Sequence, residues 1–139
     1  MSGAESFFDT NILLYLLSAE TVRADYAEEL LAASGVISVQ VLNEFAVVAA
    51  RKLSMSWAEI RDVLRPIRAV CRVEPLTIET HDQGLQLAER HGLSIYDAMI
   101  VESAMLAGCS VLYSEDMQHG RKLGGQLTIR NPFRGKLLK

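Results

Sequence analysis

Asp9, Glu44, Asp97 and Asp116 are the residues whose types and surroundings invite chemistry. Each lies in or beside an apolar stretch, where a carboxylate is costly. An isolated buried carboxylate loses several kcal/mol of hydration, and clustered ones also repel. Four acids on one edge of a fold therefore call for a cation. An all-oxygen donor set suits Mg²⁺ or Mn²⁺ better than zinc, which prefers Cys and His. The three histidines, His81, His91 and His119, show no metal-ligand spacing. Such a site points to phosphate chemistry. Mg²⁺ binds a non-bridging oxygen and acidifies a water, and two ions about 3.5–4 Å apart stabilise both attacking and leaving oxygens. No Ser, Cys or His nucleophile is needed, and neither a glycine-rich phosphate loop nor a GxSxG elbow is present.

Each acid also has a plainer explanation. Asp9 can be a helix N-cap, and Asp116 can be a turn residue after a strand. Glu44 can reach round to solvent or pair with an arginine. Asp97 lies three residues after Ser94, the spacing of a capping box, and suits the positive end of a helix dipole. The joint placement of the four favours the chemical reading.

That placement follows from the elements. Phe7-Phe8 ends a short apolar strand, Asp9 comes next, and Ile12 to Leu17 reads as a first helix. Thr21 can cap a second helix, running to about Ser34 and stopped by Gly35. Val36 to Val39 is a β-branched run suited to a buried strand. The pattern is then helical to about Leu53, with Glu44 about six residues in, roughly 9 Å from the start. Its neighbours Val41, Phe45, Val47 and Val48 put it on or beside the apolar stripe. Ser56-Trp57-Ala58-Glu59 is a capping box opening a fourth helix to about Ala69. Arg72 to Leu76 suits a strand, and Thr77 starts a fifth helix ended by Gly92. The Asp97 helix is apolar nearly all round, hence buried, and stops at Gly108. Ser110 to Ser114 is a strand, followed directly by Glu115 and Asp116. Glu115 is expected at the solvent or supporting the site from outside. Gln126 to Arg130 suits a last strand.

Alternating strands and helices imply an α/β fold with a mostly parallel sheet of four to five strands and helices on both faces. In such sheets, strand C-termini and the following helix N-termini share one edge, where ligands bind. Asp9, Asp97 and Asp116 all fall on it.

The length of 139 residues suggests a single domain spanning the chain, and half the residues are hydrophobic, enough for a sizeable core. No run of about 18 apolar residues suggests a membrane span, and the polar start at Met1 does not fit a signal peptide. Cys71 and Cys109 lack CxxC spacing and sit in apolar settings, which suggests buried free thiols and a cytoplasmic location. Fourteen basic and seventeen acidic residues give a net charge of −3, which argues against coating nucleic acid through bulk charge.

Four stretches in order resemble the motifs of PIN domains: Phe7-Phe8-Asp9-Thr10-Asn11-Ile12-Leu13, Leu42-Asn43-Glu44-Phe45, Leu93-Ser94-Ile95-Tyr96-Asp97-Ala98-Met99-Ile100, and Leu112-Tyr113-Ser114-Glu115-Asp116-Met117. The resemblance covers about residues 6 to 130. Each motif alone is weak, and the four together are specific. Without appended modules, the chain most resembles the toxin of a VapBC-type toxin–antitoxin pair. The resemblance implies a three-layer α/β/α fold, an Mg²⁺- or Mn²⁺-dependent ribonuclease, a homodimer, and a small antitoxin that blocks the site. It carries over Asp9, Glu44, Asp97 and Asp116 as metal-binding catalytic acids, and Asn11 and Ser114 as polar residues orienting the acids or a water.

Other functions compete. The main alternative enzyme is a metal-dependent phosphohydrolase acting on a small phosphate ester; one working through an aspartyl-phosphate would want an acid two residues after its nucleophile, and Asn11 stands there. A receiver-like phosphoswitch lacks a clear middle-strand acid and late-strand lysine. A catalytically silent PIN-like RNA- or protein-binding regulator has no evident reason to keep four mutually repelling acids. For partner contacts, Arg61, Arg65, Arg68 and Arg72 share one face if the fourth helix continues that far, opposite Trp57, Ile60, Leu64 and Ile67. That stripe suits RNA, an acidic antitoxin segment, or plain solvation. Arg121, Lys122, Arg130, Arg134, Lys136 and Lys139 make the C-terminal end basic. Tyr96 suits stacking on a base or core packing, and Trp57 suits packing or a dimer contact.

Overall fold

A computed structural model describes residues 5–33 and 35–134 of the chain. Ser34, Lys136 and Lys139, and the polar start at Met1, lie outside the described residues. Six strands form one sheet in the order β3-β2-β1-β4-β6-β5: β1 (Ser6–Phe8), β2 (Gly35–Ser38), β3 (Cys71–Glu74), β4 (Val111–Tyr113), β5 (Lys122–Leu123) and β6 (Leu127–Arg130). The first four and β6 pair in parallel, and β5 alone runs antiparallel, against β6. The helices are α1 (Thr10–Leu14), α2 (Thr21–Ala32), α3 (Val39–Lys52), α4 (Trp57–Val70), α5 (Ile78–His91) and α6 (Ile95–Leu106), with a 3₁₀ turn at Tyr15–Leu17.

The α/β class and the mostly parallel sheet match the sequence expectation, with one strand more than the four to five expected. The extra strand, β5, is two residues long, too short for any periodicity to show. It forms because Gly124 and Gly125 both adopt left-handed backbone, φ 62° and 79°, and turn the chain back on itself.

The chain leaves β1 outward to β2 and β3, then returns past β1 to β4 and β6. Right-handed crossovers then put the β1-to-β3 helices on one face and α5 and α6 on the other. The strand order reverses between β1 and β4. That crevice, at the strand C-termini, is where open α/β sheets bind ligands. Phe7, Phe8, Val36, Ile37 and Leu112 of the central strands are wholly buried, with Ile12, Phe45 and Ile100 from the helices.

Local chemistry fixes most boundaries. Ser56 and Glu59 close a reciprocal capping box on α4, as the sequence suggests. Thr77 and Thr80 do the same on α5, which ends at Gly92 with φ 68°. β3 stops before Pro75, which has no N–H for a ladder, so the strand is shorter than the run to Leu76.

Three expectations are corrected. The first helix begins at Thr10, not Ile12, because the Asp9 side chain caps it, and it tightens to 3₁₀ from Tyr15. Thr21 opens α2 as its first helical residue rather than capping it; Glu20 holds the cap position, its amide donating to Ser18 Oγ at 3.0 Å. Gly35 opens β2 instead of ending α2. A Cβ there would stand 2.3 Å from Phe8 Cε2 and 2.7 Å from the Ser6 carbonyl, so close strand approach requires this glycine.

Candidate metal and active site

β1 delivers Asp9 to the crevice. The Asp9 amide donates to the Tyr113 carbonyl at 2.9 Å, extending the β1–β4 ladder by one residue before the chain turns into α1. Asp9 is 4 % exposed. Its Oδ1 accepts from the Thr10 amide at 2.7 Å, and its Oδ2 accepts from Ser114 Oγ at 2.6 Å. The Ser114 hydroxyl in turn accepts from the Met117 amide at 3.2 Å. Burial pushes the Asp9 carboxyl up to about 7; Ser114 and Thr10 pull it down, while Asp97 and Glu44 push it further up.

Asn11 ties the first acid to the last. Its Nδ2 donates to Asp116 Oδ2 at 3.1 Å and reaches Asp9 Oδ2 at 3.5 Å, while its Oδ1 accepts from the Glu115 amide at 3.1 Å. Glu115 supports the site from outside. Its carboxylate accepts from the Tyr15 hydroxyl and pairs with Arg23, whose guanidinium lies 5.0 Å from the Tyr15 ring centroid.

Glu44 sits on the flank of the α3 stripe formed by Val41, Phe45 and Ala49, half-buried, whereas Val47 faces solvent. Among the described residues, no arginine pairs with it. Thr10 Oγ1 donates to its Oε1 at 3.3 Å and Gln40 Nε2 to its Oε2 at 2.7 Å. Asp97 stands in the first turn of α6, half-buried. Only half of its capping box forms: Ser94 Oγ accepts from the Asp97 amide at 3.1 Å, with no return bond from the carboxylate. Burial, then Glu44 and Asp116, raise the Asp97 carboxyl above its ordinary value.

The four acids thus share one edge and one electrostatic field. Among the described residues, no lysine or arginine pairs with any of them. No ready-made cage of three ligating side chains is closed either. The donor chemistry nevertheless fits a hard divalent cation: all ligands are oxygens, and a carboxyl pushed up to about 7 by burial, with Asp97 and Glu44 adding to the push, is one that a nearby cation would bring back down.

The arginines lie elsewhere. Arg61, Arg65 and Arg68 line a groove with Leu64, Ala69, Cys71 and Val73, none of which belongs to the acid cluster. Arg65 pairs with Asp62 at 3.1 Å. Arg72 departs from the expected stripe because α4 ends at Val70; from β3 it pairs with Glu74 and Glu5 and donates to the Ala107 carbonyl. Trp57 is exposed, not packed with Ile60 and Ile67. Cys71 and Cys109 are buried free thiols, pushed up to about 11 by burial.

Sequence reasoning passed over Thr10, Gln40, Tyr15 and Arg23. Gln40 was within reach, since it stands one helical turn before Glu44, a spacing that brings side chains together. The others meet their partners across 34 to 100 residues of chain, and no local pattern marks that.

A family profile described as PIN domain matches residues 6–122. The chain belongs to the PIN-domain family. A comparison with curated protein sequences finds no match. Among solved structures, this PIN domain is similar to VapC20 of Mycobacterium tuberculosis, described as a sarcin-ricin loop cleaving toxin. The identity is 24%, covering 81% of this chain and 90% of that one, with a TM-score of 0.67. It is similar also to a toxin–antitoxin complex from Klebsiella pneumoniae (21% identity, 92% and 98% covered, TM-score 0.68). A third is VapBC2 of Rickettsia felis bound to a promoter DNA fragment (17%, 90% and 96%, 0.66). At these identities the likeness is one of fold. Among the described residues, no helix of this PIN domain is long and apolar enough to cross a membrane.

Proposed function

We propose that the chain is a divalent-metal-dependent endoribonuclease, the toxin of a VapBC-type toxin–antitoxin pair, folded as one domain and acting as a homodimer held in check by an antitoxin. The observation that carries this is the convergence of Asp9, Glu44, Asp97 and Asp116 at the crevice between β1 and β4 without a basic partner among the described residues. The family and the toxin-like structures of the same fold support it.

Asp9 and Asp97 would hold the principal Mg²⁺ or Mn²⁺, with Asp116 beside them. Glu44 would help hold a second ion or orient the attacking water. Bound there, the metal supplies charge neutralisation at a phosphodiester and a more acidic water. The chain's own contribution is orientation. Ser114 and the Thr10 amide fix both Asp9 oxygens, Asn11 fixes Asp116 relative to Asp9, and Thr10 and Gln40 fix Glu44. Such supporting bonds keep carboxylates aimed while they are unneutralised.

The test is RNA cleavage by the purified chain, freed of any bound antitoxin, in Mg²⁺, Mn²⁺ and EDTA, beside Asp9→Asn and Asp97→Asn. Cleavage that needs metal and vanishes in both variants supports the reading. Equal cleavage by wild type and variants overturns the site, and absence of both cleavage and metal binding favours a binding module.

A further inference from the structure

A recess lies between α3 and the start of α6. Gln40, Asn43, Glu44, Val47, Val48 and Tyr96 line it, and its volume is about 530 Å³. That lies within the roughly 300–1,000 Å³ of small-ligand sites. Two features join it to the chemistry. Glu44 belongs both to the recess and to the acid cluster, and Tyr96 immediately precedes Asp97. Tyr96 is 63 % exposed, and its side chain has no ring or hydrogen-bond partner among the described residues, so core packing does not account for it.

We infer that this recess is a subsite for one unpaired nucleobase of single-stranded RNA, beside the phosphate at the carboxylates; the inference rests on the ribonuclease reading above. The Tyr96 face and the Val47 and Val48 methyls supply a stacking surface. Gln40 Nε2 is committed to Glu44, which leaves its Oε1 as an acceptor. The Asn43 carboxamide is exposed and offers a donor and an acceptor side by side, the pair needed to read a base edge. A base stacked within a duplex cannot enter, so the subsite selects single strands.

The test compares wild type, Tyr96→Phe, Tyr96→Ala and Asn43→Ala on a single-stranded RNA that the wild type cuts. Abasic nucleotides are placed one at a time on either side of the cut, with the divalent ion that supports cleavage and at fixed salt. Tyr96→Ala should raise KM about tenfold with kcat little changed, and Tyr96→Phe should keep wild-type values. One abasic position should cost the wild type the same factor and cost Tyr96→Ala nothing further, because the two changes remove one contact. Asn43→Ala should alter the preference among bases at that position. Fully additive losses, or wild-type KM in Tyr96→Ala, overturn the subsite. So does dissociation of dimers by Tyr96→Ala in light scattering with KM unchanged, which would assign the recess to a second copy. If the wild type cuts no RNA, the ribonuclease reading itself fails first.

Discussion

Asp9 and Asp97 both stand at the start of a helix, yet the β1–α1 junction and the α6 N-terminus treat their carboxylates in opposite ways. At β1–α1 the acid is itself the cap. Its oxygens are committed to the Thr10 amide and the Ser114 hydroxyl, and it is almost wholly buried. At α6 the cap is Ser94, which leaves the Asp97 carboxylate half-buried and free of that duty. The first junction ties both oxygens of its acid and raises its carboxyl chiefly by burial; the second leaves its acid half-buried, where burial and then Glu44 and Asp116 raise it. A carboxylate cluster built this way has three members held by hydrogen bonds, Asp9, Glu44 and Asp116, and a fourth, Asp97, whose carboxylate accepts none among the described residues.

The largest expected effect is on cleavage. Asp9→Asn and Asp97→Asn should each lower it by about a hundredfold or more, as loss of a principal charge-stabilising group does. The junctions separate in the supporting residues. Ser114→Ala removes a bond to Asp9 and should cost about 10–100-fold in activity or metal affinity. Ser94→Ala removes only a cap and should cost about 1 kcal/mol of stability in urea unfolding with activity nearly intact. Equal losses of activity from the two would erase the distinction.

The glycine near each junction offers a second comparison. Gly35→Ala must displace the Phe8 ring or the Ser6 backbone just before Asp9, and should cost about 1–3 kcal/mol in urea unfolding. Gly92→Ala meets open space and should cost only its left-handed φ, about 1 kcal/mol.

The pH dependence sharpens the contrast. Asp9 is raised from 3.8 to about 7, so the folded chain holds this proton more tightly than the unfolded one. The associated stability is fully present below 3.8 and is lost as pH rises through about 7. Thermal unfolding without divalent ions should therefore fall by several degrees between about pH 5 and 8. Added Mn²⁺ should restore more at the upper end. Asp9→Asn should flatten most of this slope and Asp97→Asn less; the reverse order would mean that the strain sits at α6. Smallest of all, Arg61→Glu with Arg65→Glu should leave metal binding unchanged, since their groove shares no residue with the acids. If RNA binding is lost while antitoxin binding is kept, the groove serves RNA.

Much of this was legible in the chain. The order of elements, the α4 capping box, the stop at Gly92 and the shared edge of the acids follow from local rules, because capping, periodicity and strand-to-helix alternation act over a few residues. The site reads as four short stretches for the same reason. What the chain could not show arises between residues distant in sequence. Gly35 looks like a helix stop until Phe8 is placed against it. Arg72 looks like a fourth member of a helical stripe until α4 ends at Val70. The reversal of strand order between β1 and β4, the Thr10 and Gln40 hold on Glu44, and the Tyr15–Arg23 clasp on Glu115 depend on which strands become neighbours. Sequence alone determined which groups carry charge and which end of each element they occupy. Tertiary structure decided how deeply each is buried and what it bonds, and through desolvation and mutual repulsion it set the raised carboxyl of Asp9.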